Sequence, residues 1–167
     1  MFQVNDVIVY GTQGVCKITG KEEKSISGKK RTYFVLQPVN EKGATIFVPT
    51  DNELALKKMR RLLTEEEIHK LIDSMPEQST VWEENENQRK ERYKSILAKG
   101  DHLEMIQMIK AIYTHKIKRE AEGKRLHISD DRFFKDAEQI LYNEFQYVLG
   151  LSDKENMMSY IFARLEK

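Results

Sequence analysis

The chain of 167 residues has little of what several classes of protein require. It holds one cysteine, Cys16, which excludes an internal disulfide framework and any zinc site built from several cysteines. No apolar run approaches the ~20 residues that a membrane-spanning helix needs. The first residues also lack the basic and then apolar profile of a secretory signal peptide. We therefore expect a soluble, cytoplasmic protein with no membrane association.

The motifs of common catalytic and cofactor sites are missing as well. The four histidines fall in different segments, and none forms a His-x-x-x-His pair, so their spacing gives no metal template. There is no glycine-rich phosphate loop, no Gly-x-Gly-x-x-Gly turn and no Gly-x-Ser-x-Gly nucleophile elbow. Cys16 lies in a predicted strand, where a small buried hydrophobic residue is expected rather than a reactive thiolate. We expect no catalysis, no cofactor, no metal and no small-molecule substrate.

The net charge of +1 conceals a segregation of charge along the chain. Residues 61–88 hold two basic and eight acidic side chains, whereas residues 89–125 hold eleven basic and five acidic ones. Such blocks indicate separate contact surfaces, one of which could meet a polyanion. Solvated helix faces would give the same pattern, so charge alone does not decide between these interpretations.

The first sixty residues show the alternation that is typical of short strands. β-Branched and aromatic residues run through 6–10, 14–20, 32–36 and 44–49, and glycines separate these runs. Four or five strands predict a small antiparallel β-barrel over residues 1–60. The turn of one hairpin is predicted at residues 40–43, where Gly43 is free to take a positive φ.

After Lys58 the apolar period becomes helical, which predicts an all-α domain of about five helices over residues 61–167. Capping boxes, in which the first side chain and a carboxylate three residues later exchange hydrogen bonds with the backbone, are predicted at three helix starts. They are Thr64–Glu67, Thr80–Glu83 and Ser152–Glu155. The fold class we expect is therefore α+β, with a β-barrel module followed by a helical module.

Trp82, the only tryptophan, is predicted on the first turn of the helix that begins at Thr80. Every residue from Glu83 to Arg92 is polar or charged, so the following turns offer no apolar stripe to cover the indole. A side chain of this size is costly to leave in water unless a partner covers it. Packing of the indole on the linker or on the barrel is an equally good interpretation from these residues alone.

Basic side chains follow Trp82 in two clusters. Two antiparallel helices can bring both clusters to adjoining edges, where spaced cations would bind phosphates. A large apolar side chain beside them could insert at a base step from the minor groove and detect bent or partly opened duplex. The candidate DNA-binding residues are Trp82, Arg89, Lys90, Arg92, Lys94, Lys116, Lys118, Arg119, Lys124 and Arg125. The carboxylates of Glu83, Glu84 and Glu86 must then face away from the phosphates.

The predicted barrel offers two kinds of binding site. Four aromatic residues could form a cage for a methylated lysine, or could fill the barrel core. They are Tyr10, Tyr33, Phe34 and Phe47. Basic residues flank the turn at Gly28, and an exposed strand edge there could accept a strand from a protein partner.

Short motifs extend in a fixed order over nearly the whole chain. The chain opens with Phe2-x-Val4-x-Asp6-x-x-Val9-Tyr10-x-x-x-Gly14. Further motifs are Ile26-x-Gly28, Tyr33-x-Val35-Leu36, Val48-Pro49, Trp82, Arg92-Tyr93-Lys94, Gly100-Asp101 and Ala137-Glu138-Gln139-Ile140-Leu141. In this order they resemble the CarD/CdnL family of bacterial RNA polymerase-binding transcription regulators. Asn5 and Gly11 stand where glycine and proline are usual in that family.

The resemblance implies a Tudor-like N-terminal domain that binds the RNA polymerase β subunit and a helical domain that contacts promoter DNA. In the family a tryptophan enters the minor groove at the upstream edge of the transcription bubble and stabilises the open complex, and Trp82 matches it. The positions that match polymerase contacts are Lys24, Thr45, Ile46 and Phe47. An arginine is common in the family where this chain has Phe47, and a basic residue where it has Asp131.

Alignment on Gly100 leaves roughly four surplus residues after Trp82, which we interpret as one extra helical turn that moves the indole ~5–6 Å along the axis. Two functions stay open at this point. One is a regulator that docks on polymerase and contacts promoter DNA. The alternative is a protein-interaction adapter on RNA polymerase with no direct DNA contact.

Overall fold

A computed structural model describes residues 2–80, 82–152 and 154–165. The chain forms two compact units, Met1–Leu63 and Thr64–Lys167. None of the helices in the described ranges is long and apolar enough to cross a membrane.

The first unit is a five-stranded antiparallel sheet. Its strands are β1 (Val7–Tyr10), β2 (Val15–Ile26), β3 (Lys29–Pro38), β4 (Ile46–Pro49) and β5 (Met59–Arg61), and a short helix, α1 (Glu53–Lys57), precedes β5. The strand order is β4-β3-β2-β1-β5, so β4 and β5 lie at opposite ends and do not pair within residues 2–63. The predicted β module is confirmed, but the sheet is open rather than closed. The boundary expected after Arg60 falls inside β5, which pairs with β1.

One face of the sheet carries the core of the first unit. The buried cluster contains Ile8, Cys16, Ile18, Phe34, Leu36, Val48 and Met59. Cys16 is completely buried, and this burial, together with nearby Glu41, raises the pKa of its thiol to about 11. At neutral pH it is a protonated, small hydrophobic side chain, as the sequence predicts.

Two backbone angles explain where this chain departs from the pattern it resembles. Asn5 has a φ of 80°, a left-handed conformation that asparagine tolerates better than most residues. An asparagine can therefore occupy a position where glycine is usual. Gly11 has a φ of 48°, which a proline ring cannot adopt.

The second unit contains five α-helices among its described residues. They are α2 (Glu65–Ser74), α3 (Glu86–Lys99), α4 (His102–Ala121), α5 (Ile128–Leu149) and α6 (Lys154–Leu165). The capping box at Thr64 is confirmed, because Thr64 and Glu67 exchange side-chain-to-backbone hydrogen bonds. The box expected at Ser152–Glu155 includes Asp153 and lies outside the described residues. The prediction of an α+β chain with a helical second module is confirmed.

The core of the helical unit lies where α4 and α5 pack together. Its fully buried side chains include Met105 and Ile112 from α4 and Leu141 and Phe145 from α5. Tyr93 of α3 is also buried, and its ring meets the ring of Phe133 edge-on with centroids 5.6 Å apart. Helix α3 is thereby fixed against α5, which positions the segment that precedes it.

Helix α3 begins at Glu86, so the start predicted at Thr80 is wrong. Asn85 is the N-cap, and its side chain accepts a hydrogen bond from the Gln88 N–H at 3.0 Å. Asparagine is a stronger N-cap than threonine, so it wins the competition between the two signals. Trp82 therefore lies in a non-helical segment. The extra helical turn inferred after Trp82 is wrong for the same reason.

Candidate functional site

Trp82 is partly buried and is held by side chains from two helices. Its ring stacks on the imidazole of His115 in α4, with centroids 3.7 Å apart and planes 12° from parallel. The guanidinium carbon of Arg89 in α3 lies over the indole, 4.5 Å from the ring centre. These contacts fix the orientation of the indole and leave part of it open to solvent.

Arg89 is a buried structural residue rather than a surface cation. Its Nε and Nη2 donate to the two carboxylate oxygens of Asp130, each at 2.8 Å. Its Nη1 donates to the carbonyl of Glu83 at 3.0 Å, in the segment that carries Trp82. Arg89 is 3% exposed and Asp130 is fully buried. Because these donors are used inside the unit, Arg89 is not among the residues that we propose to contact DNA.

Lys110 fixes the chain on the other side of Trp82. Its ammonium donates to the carbonyls of Met75, Pro76 and Gln78 at 3.2, 2.9 and 2.8 Å. These carbonyls belong to a 3-10 turn, Met75–Glu77, and the residue after it. The chain between this turn and α3, which we call the tryptophan segment, is thus bound to α4 before Trp82 and to α3 after it. Lys110 is not among the candidates predicted from sequence, where its only signal is one cation within a largely apolar stretch of α4.

A groove of about 310 Å³ adjoins Trp82. Lys118 and Arg119 line it from the same face of α4 that carries His115, since these residues are three and four positions apart. The structure therefore brings Trp82 together with two cations of the second basic cluster, Lys118 and Arg119. Glu84 and Glu122 line the groove as well, so the surface beside the indole has mixed charge.

The glutamates next to Trp82 differ in what they contact. Glu83 accepts a hydrogen bond from the Asn85 N–H at 3.2 Å, which turns its carboxylate toward its own backbone. Glu86 pairs with Lys90 at 3.2 Å, and this partner lowers the pKa of Glu86. Of the three carboxylates, only that of Glu84 lines the groove.

The imidazole beneath Trp82 is biased toward its neutral form. Burial is the largest cause that lowers the pKa of His115 below 6.5, and Arg119 is the next. Arg89 lowers this pKa further, whereas Asp130 and Glu84 act in the opposite direction. A neutral ring at pH 7 places no additional charge against the indole.

The other candidate cations are distributed over the surfaces of α3, α4 and the loop that follows α4. Lys94 pairs with Glu91 at 3.5 Å. Arg119 donates its Nε to the carbonyl of Arg125 at 2.6 Å, which holds this loop against the end of α4. The remaining candidates are exposed or partly exposed: Arg92, Lys116, Lys124 and Arg125.

A second groove, of about 280 Å³, is lined by Arg92 and Lys99 of α3. It shares Ala111 with the groove beside Trp82. Arg92 and Lys99 of the first basic cluster therefore lie next to the groove that carries Lys118 and Arg119. The sequence predicts that α3 and α4 bring the two clusters to adjoining edges.

The predicted polymerase-binding residues of the sheet unit lie at its β4 edge. Phe47 is 38% exposed and meets the ring of Tyr33 edge-on, with centroids 6.3 Å apart. The Lys24 ammonium lies over the Phe47 ring, 3.4 Å from its centre. Thr45 is exposed, and Ile46 packs against the core from the other face. Phe47 and Lys24 thus present an aromatic and cationic surface at an edge strand.

The aromatic cage considered for methylated lysine does not form. Phe34 belongs to the buried core and Tyr10 packs against that core, whereas Tyr33 and Phe47 contact each other through their rings. Neighbouring residues of a strand point to opposite faces, so Tyr33 and Phe34 cannot line one cavity. That interpretation is wrong.

An open antiparallel sheet domain followed by a helical domain with a rigidly held surface tryptophan defines a two-domain binding protein. A family model described as the CarD-like/TRCF RID domain matches residues 2–63, and one described as the CarD C-terminal domain matches residues 70–160. The chain belongs to the CarD family. Its two domains identify it as a transcription factor that interacts with RNA polymerase. Comparison with curated proteins finds no match.

Proposed function

We propose that the chain binds the RNA polymerase β subunit through the β4 edge of its sheet domain and contacts promoter DNA with Trp82. In this function Trp82 enters the minor groove at the upstream edge of the transcription bubble and stabilises the open complex. The observation that carries the proposal is the partly exposed indole, which is held beside Lys118 and Arg119. Apolar side chains that kink or unstack duplex steps are flanked by cations in this way.

The rigidity of the tryptophan segment supports the proposed mechanism. Lys110 and Arg89 bind backbone carbonyls on the two sides of Trp82, so little side-chain freedom is left to lose when DNA binds. A fixed wedge fits a distorted or melted junction better than closed duplex. This difference in affinity shifts the equilibrium toward the open state.

Docking on polymerase supplies the remaining affinity. β4 pairs only with β3 in the described sheet, so its other edge offers backbone groups to a strand of the partner. Phe47 and Lys24 add an aromatic ring and a cation at this edge. A domain tethered in this way holds Trp82 at high effective concentration over the promoter, even where its own affinity for DNA is weak.

The test is the lifetime of the open complex with polymerase and the Trp82→Ala variant. Burial of the indole by DNA predicts a lifetime about tenfold shorter, because such a side chain contributes about 1.5 kcal/mol or more. Tyr113→Ala is the matched control, since Tyr113 is an exposed aromatic residue of α4. The control should keep the wild-type lifetime, and both variants should bind polymerase normally. An unchanged lifetime with Trp82→Ala bound would remove the wedge role.

An adapter that contacts no DNA is the second candidate. Glu84 and Glu122, which line the groove beside Trp82, favour it, since carboxylates repel phosphates. Binding to fork-junction DNA, with and without polymerase, separates the candidates when salt is varied. A DNA contact made by several cations weakens steeply with salt, and an adapter adds no such dependence.

A further inference from the structure

Ile128 is an aliphatic side chain in an unusual position, at the first residue of α5. It is 90% exposed, which is the highest exposure among the large hydrophobic residues that the structure describes. A substitution by a polar residue there would cost the fold almost nothing, since the side chain buries little area. The isoleucine therefore contributes little to stability, and its apolar surface is available to a partner.

The surroundings of Ile128 carry positive charge. Arg132, one turn later on α5, lines the same shallow surface as Ile128, and so do Lys90 of α3 and its ion-pair partner Glu86. Lys124 and Arg125 are exposed in the loop that leads to it. The nearby carboxylates are engaged, because Asp131 pairs with Lys135 at 2.9 Å and Glu86 with Lys90 at 3.2 Å. An apolar side chain among cations suits a distorted duplex, because the cations bind phosphates while the apolar side chain inserts at a partly unstacked base step.

Ile128 is also linked to Trp82 through the packed structure. Asp130, two residues after Ile128, accepts hydrogen bonds from Nε and Nη2 along one edge of the Arg89 guanidinium, and Arg89 lies over the Trp82 ring. On the other side of the loop, Arg119 lines the Trp82 groove and binds the carbonyl of Arg125. These contacts connect the parts of the helical unit that carry the two apolar side chains.

We propose that Ile128 is a second apolar contact to promoter DNA, which enters the minor groove near Trp82 while Lys124, Arg125 and Arg132 bind the flanking phosphates. The inference rests on the proposed function, in which the helical domain meets DNA. It adds the specific prediction that Trp82 and Ile128 both contact the distorted duplex. One inserted side chain can bind any duplex that is kinked at a single base step. Two inserted side chains bind best to DNA whose bend matches the distance between them.

A crosslinking experiment tests the contact directly. The full chain with Ile128→p-benzoylphenylalanine is assembled with RNA polymerase on promoter DNA and irradiated. A crosslink from position 128 to DNA supports the inference. Crosslinks to polymerase subunits alone would show a protein-binding surface and overturn it, as would the absence of any crosslink. The same substitution at Leu103, near the start of α4, is the control and should give no crosslink to DNA.

Substitutions measure the effect on the open complex. Ile128→Ser should shorten its lifetime about fivefold, and Ile128→Leu should keep it, since the contact needs apolar bulk. Ile128→Ser should leave the salt dependence of DNA binding unchanged, whereas Arg132→Ser should lower its slope by about one. Leu103→Ser, which also removes an exposed aliphatic side chain, should have no effect. An unchanged lifetime with Ile128→Ser would overturn the inference.

The same measurements separate this inference from the proposed function. If Trp82→Ala shortens the lifetime and Ile128→Ser does not, only the second contact is refuted. If neither variant changes the lifetime and position 128 gives no DNA crosslink, the DNA-binding function itself is refuted.

Discussion

Arg89 and Asp130 form an ion pair inside the helical unit, with two nitrogen–oxygen distances of 2.8 Å. The pair joins α3 to α5, and the third nitrogen of Arg89 holds the carbonyl of Glu83 close to Trp82. Arg89, which the sequence places in a basic cluster, is thus a buried residue that positions Trp82. In the proposed function its contribution to DNA binding is indirect and depends on the orientation that it gives to the indole.

Replacement of Arg89 should strongly destabilise the helical unit. Arg89→Met leaves Asp130 buried without its partner, so the free energy of unfolding should fall by about 3 kcal/mol or more. Urea denaturation followed by circular dichroism measures this loss. Arg164→Met is the control, because Arg164 pairs with Asp73 at the surface, and it should cost less than about 1 kcal/mol. Equal losses in the two variants would contradict the bracing role of Arg89.

The stack of Trp82 on His115 should respond to pH. Burial and Arg119 lower the pKa of His115 in the folded state, so folding favours the neutral imidazole. The stability that this preference contributes is present above pH 6.5 and is lost as the pH falls below that value toward the lower folded-state pKa. Fluorescence of the single tryptophan should therefore change with a midpoint below 6.5.

His115→Gln identifies the group that titrates. The amide keeps a polar, planar side chain beneath the indole but does not ionise in this range. The fluorescence step should disappear in this variant. If the step persists with the same midpoint, another group is responsible and the stack is insensitive to pH.

The sheet could be predicted because its pattern is local. Short runs of β-branched and aromatic residues, separated by glycines, mark each strand within its own stretch of sequence. The sheet would close only if β4 paired with β5. These strands are distant in sequence, so no local pattern predicts whether they pair. That the sheet is open rather than closed is therefore seen in the structure alone.

The start of α3 was mispredicted because two cap signals compete. Thr80–Glu83 has the capping-box pattern, yet in a helix the carbonyl of Glu83 would accept from a backbone N–H one turn later. In the structure that carbonyl accepts from Arg89, whose position is set by Asp130 in a different helix. This long-range ion pair therefore acts together with the stronger N-cap, Asn85, to place the start of α3 at Glu86. The same contact removed Arg89 from the DNA-binding set, which charge patterning could not foresee.

Lys110 should control the order of the segment that precedes Trp82. Lys110→Met keeps the aliphatic stem but removes the hydrogen bonds to Met75, Pro76 and Gln78. Amide hydrogen exchange of residues 75–80 should become faster, and the open-complex lifetime should fall about threefold as the indole loses its fixed position.

The control for Lys110 is Lys70→Met, which removes an exposed cation of α2 that pairs only with Glu66 among the ion pairs described. It changes the net charge by the same amount and should leave both measurements unchanged. A shorter lifetime in both variants would mean that net charge, rather than the order of the tryptophan segment, sets the lifetime.

Phe47 should carry much of the affinity for polymerase. Phe47→Ser removes the exposed ring that Lys24 covers, and binding to the isolated β lobe should weaken about tenfold, since a buried phenyl group contributes about 1.5–3 kcal/mol. Calorimetric titration of the full chain with the lobe measures this. Leu54→Ser, which removes a 75% exposed aliphatic side chain of the same unit, should bind normally. Trp82→Ala should bind normally as well, because we propose that docking and DNA contact involve different domains. Loss of binding with Leu54→Ser but not with Phe47→Ser would move the docking surface from β4 to α1.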